Sequence, residues 1–189
     1  HVDWKLFAKS DRYFVKVFED ETNVRATLLI DRSGSMGFAG SSVTKLQYAS
    51  LLAAALAFLM IGQRDAVGLA LFDEKINLLT QHRSIKRHLH MILGELERVK
   101  PGTGSRVGTS RGQVAVRIKR RGLVIVMSDL MDRPETVISS LKRFRHRGHE
   151  TIVFHILDPL ELSLDYSREA RFLDMETGEK IQAQPWFLA

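Results

Sequence analysis

Four apolar runs, each the length of a β-strand, recur along the chain with helix-like segments between them. Residues 24–30, 66–72, 123–127 and 151–157 are rich in Val, Ile and Leu. The first turns apolar on consecutive residues toward its end, and the third is apolar throughout. A strand that alternates apolar and polar residues can leave one face in water, whereas a run apolar on both faces must be covered on both. Between the runs, residues 44–61 are rich in Leu and Ala, with helical spacing at Leu46, Leu52, Leu56 and Leu59. Residues 85–99 are amphipathic and end at Pro101-Gly102, residues 110–121 are basic, and residues 135–147 have helical patterning. Such strand–helix alternation predicts an α/β fold with a doubly wound, mostly parallel sheet and helices on both faces. Residues 75–79 are expected to pair beside 66–72 as a hairpin, and the aromatic, β-branched run 13–18 to form a further strand.

A length of 189 residues suits one such domain. With 44% apolar and 26% charged residues, a wholly disordered chain is excluded. Cysteine is absent, so disulfides, thiolate zinc sites and cysteine nucleophiles are excluded as well. Its absence is compatible with the expected cytoplasmic location. The longest apolar stretch, residues 51–62, falls short of the roughly 20 residues of a membrane span and is expected to be a buried helix. The opening HVDWK has no initiator methionine. Residues 1–22 are therefore read as the tail of an upstream segment carrying an edge strand, and 23–189 as the domain. A membrane tether upstream is compatible with this division.

The net charge of +6 is unevenly spread. Residues 83–121 hold eleven Lys and Arg against Glu95 and Glu97, while residues 158–180 hold seven Asp and Glu against three Lys and Arg. A nucleic-acid surface could use Arg98, Lys100, Arg106, Arg111, Arg117, Lys119, Arg120 and Arg121. No aromatic residue interleaves them for base stacking, so solvated helix faces are the expectation.

Ligands of open parallel sheets collect at the carboxyl ends of the strands. Three oxygen-rich segments belong there: Asp31-Arg32-Ser33-Gly34-Ser35, the loop from Gly102 to Gly108, and Ser128-Asp129. Asp31, Ser33, Ser35, Ser105 and Asp129 would make a hard, all-oxygen set suited to Mg²⁺ or Mn²⁺, and less tightly to Ca²⁺. Asp and Ser ahead of a helix can instead cap its free amides, and spacing alone leaves both readings open. An EF-hand is excluded, because Met36 and Ser42 stand where its glycine and glutamate belong.

A serine hydrolase is the competing enzyme reading. Ser33-Gly34-Ser35-Met36-Gly37 approaches the G-x-S-x-G elbow, and Ser35, Asp129 and His155 follow the α/β-hydrolase order. Against it, Ser33 replaces the elbow's first glycine, and His155 lies within an apolar strand, where a packed core histidine is expected. Ser42-Val43-Thr44-Lys45 matches S-x-x-K without the companion motifs. No P-loop and no H-E-x-x-H occurs, and His88 and His90 are read as surface helix residues.

The D-x-S-x-S at the end of a buried strand resembles the opening signature of the von Willebrand factor A domain. VDWKLFAKSDRYFVKVFEDETNVRATLLIDRSGSM, QRDAVGLALFDE, RRGLVIVMSDLMD and RGHETIVFHILDPLEL resemble the bacterial domain-of-unknown-function 58 family. The resemblance implies a von Willebrand A-type, Rossmann-like sandwich and a metal-ion-dependent adhesion site. Asp31, Ser33 and Ser35 match its first motif and Asp129 its third. PGTGSRVG aligns with the family's P-G-G-G-T-D-L, placing Ser105 at the threonine and Arg106 at the aspartate, with Thr103 and Thr109 as alternative ligands. The implied function is protein–protein interaction without catalysis, with a partner's Asp or Glu completing the metal's coordination. MoxR-type AAA+ ATPases are the implied partner class.

Overall fold

β1 (Arg25–Asp31) forms the middle of a five-stranded sheet, and the chain leaves it through a single 3-10 turn at Gly34–Gly37. There follow α1 (Lys45–Gly62), β2 (Ala66–Phe72), β3 (Ile76–Leu79), α2 (Lys86–Arg98) and β4 (Leu123–Ser128). Then come α3 (Pro134–His146), β5 (Glu150–His155), the short α4 (Pro159–Ser163), β6 (Ala170–Leu173) and β7 (Lys180–Ala183). The structure, a computed structural model, describes residues 23–40, 42–73, 75–102, 118 and 120–163, and the backbone of 170–173 and 180–183. The strand expected at 13–18 and most of the basic helix expected at 110–121 lie outside the described residues.

Sheet order is β3-β2-β1-β4-β5. β1 pairs in parallel with β2 and β4, and β4 in parallel with β5, while β3 runs antiparallel to β2 at one edge. Parallel neighbours need long crossovers, which α1 and α3 supply, whereas β2 and β3 need only a hairpin. β6 and β7 form a separate antiparallel pair.

Alternate residues of the central strands enter two different cores. Leu28, Ile30, Val67, Leu69, Leu71, Ile125 and Met127 pack against α1 and against Ile92 and Leu96 of α2. Leu29, Ala70, Phe72, Val124 and Val126 pack on the opposite face against Ile118 and against Phe144 of α3. The result is the expected α/β sandwich with a mostly parallel sheet covered on both faces.

α1 is only in part the buried helix expected: Leu46, Leu52 and Leu56 meet the core, whereas Leu59 is exposed. Its inward stripe is Leu46, Ala49, Ala53, Ala57 and Ile61, spaced by three and then by four residues. Leu51 and Phe58, each 66% exposed, point outward with Tyr48 and Leu59. Small alanines face the sheet, Leu52, Leu56 and Met60 pack against the core at the flanks, and the side chains of Tyr48, Leu51, Phe58 and Leu59 are left outside. Residues 46–63 carry no charge, so the apolar pattern had no polar face to set its orientation. By length and composition α1 is also apolar enough to cross a membrane; here its inner side is packed on the sheet.

Candidate functional site

Asp31, the last residue of β1, is fully buried. Its Oδ1 accepts the Ser33 amide at 2.8 Å, closing a two-residue turn, and its Oδ2 accepts the Ser128 hydroxyl at 2.6 Å from the end of β4. That turn swings Ser33 and Ser35 to the same side, and their hydroxyl oxygens lie 3.1 Å apart. This loop does not cap the long helix that follows it. α1 is capped by Thr44, whose hydroxyl accepts the Gln47 amide while the Gln47 side chain accepts the Thr44 amide. Ser33, although it precedes the 3-10 turn, makes no side-chain capping bond.

The second loop starts against the first. Arg32 N donates to Phe72 O at 2.7 Å, and Gly102 N donates to Arg32 O at 2.6 Å. A Cβ on Gly102 would stand 3.2 Å from both Arg32 O and the Asp73 carboxylate, so glycine permits this close approach. Ser105, Arg106, Thr103 and Thr109 lie outside the described residues.

Asp129, in the third loop, has a partner that sequence reasoning missed. Its Oδ2 accepts the Lys45 ammonium at 2.8 Å, and its Oδ1 accepts the Met131 amide at 3.3 Å. The same ammonium donates to Glu161 Oε1 of α4 at 2.6 Å. The Lys45 and Asp129 side chains are 2% and 0% exposed, so both charges have left bulk water and depend on each other. Burial pulls the Lys45 ammonium down, but its hydrogen bonds and attraction to Asp129 and Glu161 outweigh that, and its pKa stands above the ordinary lysine value. The available signal was a lysine opening a helix that is otherwise uncharged. Residues 130–132 fold tightly behind Asp129, with Leu130 in the left-handed region at φ 54° and its amide on Ser128 Oγ.

The hydrolase residues do not form a relay. Ser35 Oγ meets Ser33 Oγ, His155 Nε2 meets the backbone oxygen of Asp129 at 3.0 Å, and the Asp129 carboxylate meets Lys45. His155 is exposed on β5 and is not the packed core residue expected. The surface reading of His88 also fails, since it is 6% exposed and its Nε2 lies 2.9 Å from Val67 O. His90 is exposed as expected. Among the described residues no three His, Asp or Glu side chains gather as a metal cluster.

The 3.1 Å between Ser33 Oγ and Ser35 Oγ is a hydrogen-bond distance, and it is also close to the roughly 3.0 Å that separates adjacent ligands on an octahedral ion with bonds of about 2.1 Å. Asp129 fits such an ion only in competition with Lys45.

Comparison with known proteins agrees with this fold. BatB, a conserved hypothetical protein from Bacteroides thetaiotaomicron, superposes with a TM-score of 0.57 at 20% identity, over 85% of this chain and 80% of that one. An aerotolerance-related membrane protein from Bacteroides fragilis also gives 0.57, at 19% identity over 85% of this chain and 81% of that one. An uncharacterized protein of Mycobacterium tuberculosis is 25% identical over 184 residues, 94% of this chain and 56% of that protein. The chain thus spans about half the length of the curated relatives it matches. The sequence profile of the protein of unknown function DUF58 matches residues 1–185, and the chain belongs to that family.

Proposed function

We propose that this chain is a protein-interaction domain whose binding surface is completed by a divalent cation, and that it performs no catalysis of its own. The observation that carries the reading is the pair of Ser33 and Ser35 hydroxyls, 3.1 Å apart and bonded among the described residues only to each other. Capping of α1 makes no use of them. Buried Asp31 holds their loop by its turn, and Gly102, bonded to Arg32 O, lies against the same loop. Mg²⁺ or Mn²⁺ suits this donor set, with Ca²⁺ bound less tightly. When bound, the cation would present a positive, hard Lewis acid to a partner's Asp or Glu. The proposed partner class is a MoxR-type AAA+ ATPase, and the proposed location is the cytoplasm.

The test is binding of the purified chain to such an ATPase, in Mg²⁺ and in chelator, with Asp31→Ala beside the unmodified protein. Binding that needs Mg²⁺ and is lost in Asp31→Ala supports the reading. Binding indifferent to both overturns it. A fluorophosphonate probe, which would label a hydrolase nucleophile, is expected to leave Ser35 unmodified.

A further inference from the structure

We infer that Lys45 is a built-in counter-cation of this site: its ammonium occupies Asp129 in place of a divalent ion and sets how much metal is needed before Asp129 can take part. The inference rests on the cation-site reading above and adds its regulation.

Lys45 is placed by the loop that carries the two serines. It is the first residue of α1, and its amide donates to Phe38 O at 3.1 Å, so its position is tied to the end of that loop. From there the side chain runs inward. Lysine is almost never fully buried unless it is paired, and this one is paired twice, at 2.8 Å to Asp129 and 2.6 Å to Glu161. The second Asp129 oxygen is occupied by the Met131 amide. A divalent ion approaching Asp129 must therefore share it with a positive charge or displace that charge, and either way binding is weakened by repulsion inside a poorly solvated site.

Displacement is feasible because Lys45 keeps a partner. Glu161 holds the ammonium from the other side, so giving up Asp129 does not strand a buried charge. α4, which carries Glu161, is fastened to the serine loop separately: Gly40 N donates to Asp158 Oδ2 at 2.8 Å, and Asp158 N donates to Glu161 Oε2 at 2.9 Å.

A merely structural ion pair would make a different prediction, and Lys45→Met separates the two. Without metal the variant should be less stable, as either role requires, because Asp129 and Glu161 lose their cation. Only a counter-cation role also predicts that Mn²⁺, followed by calorimetry and electron paramagnetic resonance, binds about tenfold or more tightly once the repulsion is gone. If Lys45→Met does not fold, Lys45→Met combined with Glu161→Gln removes one stranded carboxylate, leaves Asp129 bare, and should show the same gain. Unchanged or weaker Mn²⁺ affinity in the folded variant overturns the inference. Uptake by Lys45→Met where the unmodified protein takes up none supports it. If the unmodified protein and Asp31→Ala bind Mn²⁺ alike, the cation-site reading itself has failed. If Asp31→Ala abolishes uptake while Lys45→Met equals the unmodified protein, that reading stands and the role of Lys45 falls.

Discussion

Ser128 donates its hydroxyl to Asp31 across 2.6 Å, joining the ends of β4 and β1 although the two residues are 97 positions apart. Both side chains are essentially inaccessible to solvent. The bond fixes the carboxylate from which the serine loop is hung, and Ser128 Oγ also accepts the Leu130 amide at the start of the third loop. One hydroxyl therefore aligns two of the three loops. Ser128→Ala leaves a buried carboxylate short of one charge-assisted bond, and should cost about 1–3 kcal/mol in urea unfolding. A loss no larger than that of an exposed serine, such as Ser139→Ala, would mean the loops are aligned by something else.

The strands were legible because burial on both faces leaves an unmistakable apolar run, as at residues 123–127, and parity then assigns each residue to a core. The first loop was legible because Asp31, Ser33 and Ser35 are close in sequence and their geometry is local. Lys45 was not, because its partners Asp129 and Glu161 lie 84 and 116 positions away. Nothing local distinguishes a lysine that snorkels to solvent from one that turns inward. His155 misled for a related reason: residues 152–156 are apolar enough for a core strand, yet β5 flanks only β4 in the five-stranded sheet and leaves Ile152 46% exposed.

Cation binding should appear as stability. An ion that binds the folded site and scarcely the unfolded chain adds about 2.7 kcal/mol when free metal reaches 100 times its dissociation constant. The melting temperature of the unmodified protein should therefore climb through a Mg²⁺ series. Asp31→Ala should remove the response. Ser33→Ala should only weaken it, because water can replace a neutral oxygen. Equal responses from all three proteins would place the ion elsewhere.

The two faces of α1 should answer mutation in opposite ways. Ala53 and Ala57 are fully buried against the sheet, so Ala57→Leu overpacks that core and should destabilise by about 1–3 kcal/mol. Phe58, the neighbouring residue, points outward, and Phe58→Gln should change stability by no more than about 0.5 kcal/mol. Removing exposed apolar area should also raise the concentration at which the protein stays monodisperse. Chemical unfolding and light scattering of the two variants check both statements. A large loss from Phe58→Gln would mean that its ring is covered in solution.

The pH response should carry a signature of His82. Its Nε2 lies 2.8 Å from Thr27 Oγ1 on β1, and its ring rests on Gly68, where a Cβ would come within 3.0 Å of it. Reciprocal bonds between Val67 and Arg83 fasten the next residue along the edge of the sheet. Burial, followed by the charges of Arg25, His88 and Arg120, pushes the His82 pKa below the ordinary histidine value. The folded state therefore favours the neutral ring, and between the depressed pKa and about 6.5 the unfolded chain binds more protons. Stability from this group is complete above about pH 6.5, falls as the pH drops through that window, and levels off below the folded pKa. Other groups titrate in the same range, so the informative quantity is a difference between proteins. Urea midpoints of the unmodified protein and His82→Gln, taken from about pH 8 down to about pH 5, should converge as the pH falls, because only the former loses the His82 contribution. Parallel curves would show that the ring accepts its proton as readily when folded as when unfolded, and that its contact with Thr27 does not depend on the neutral form.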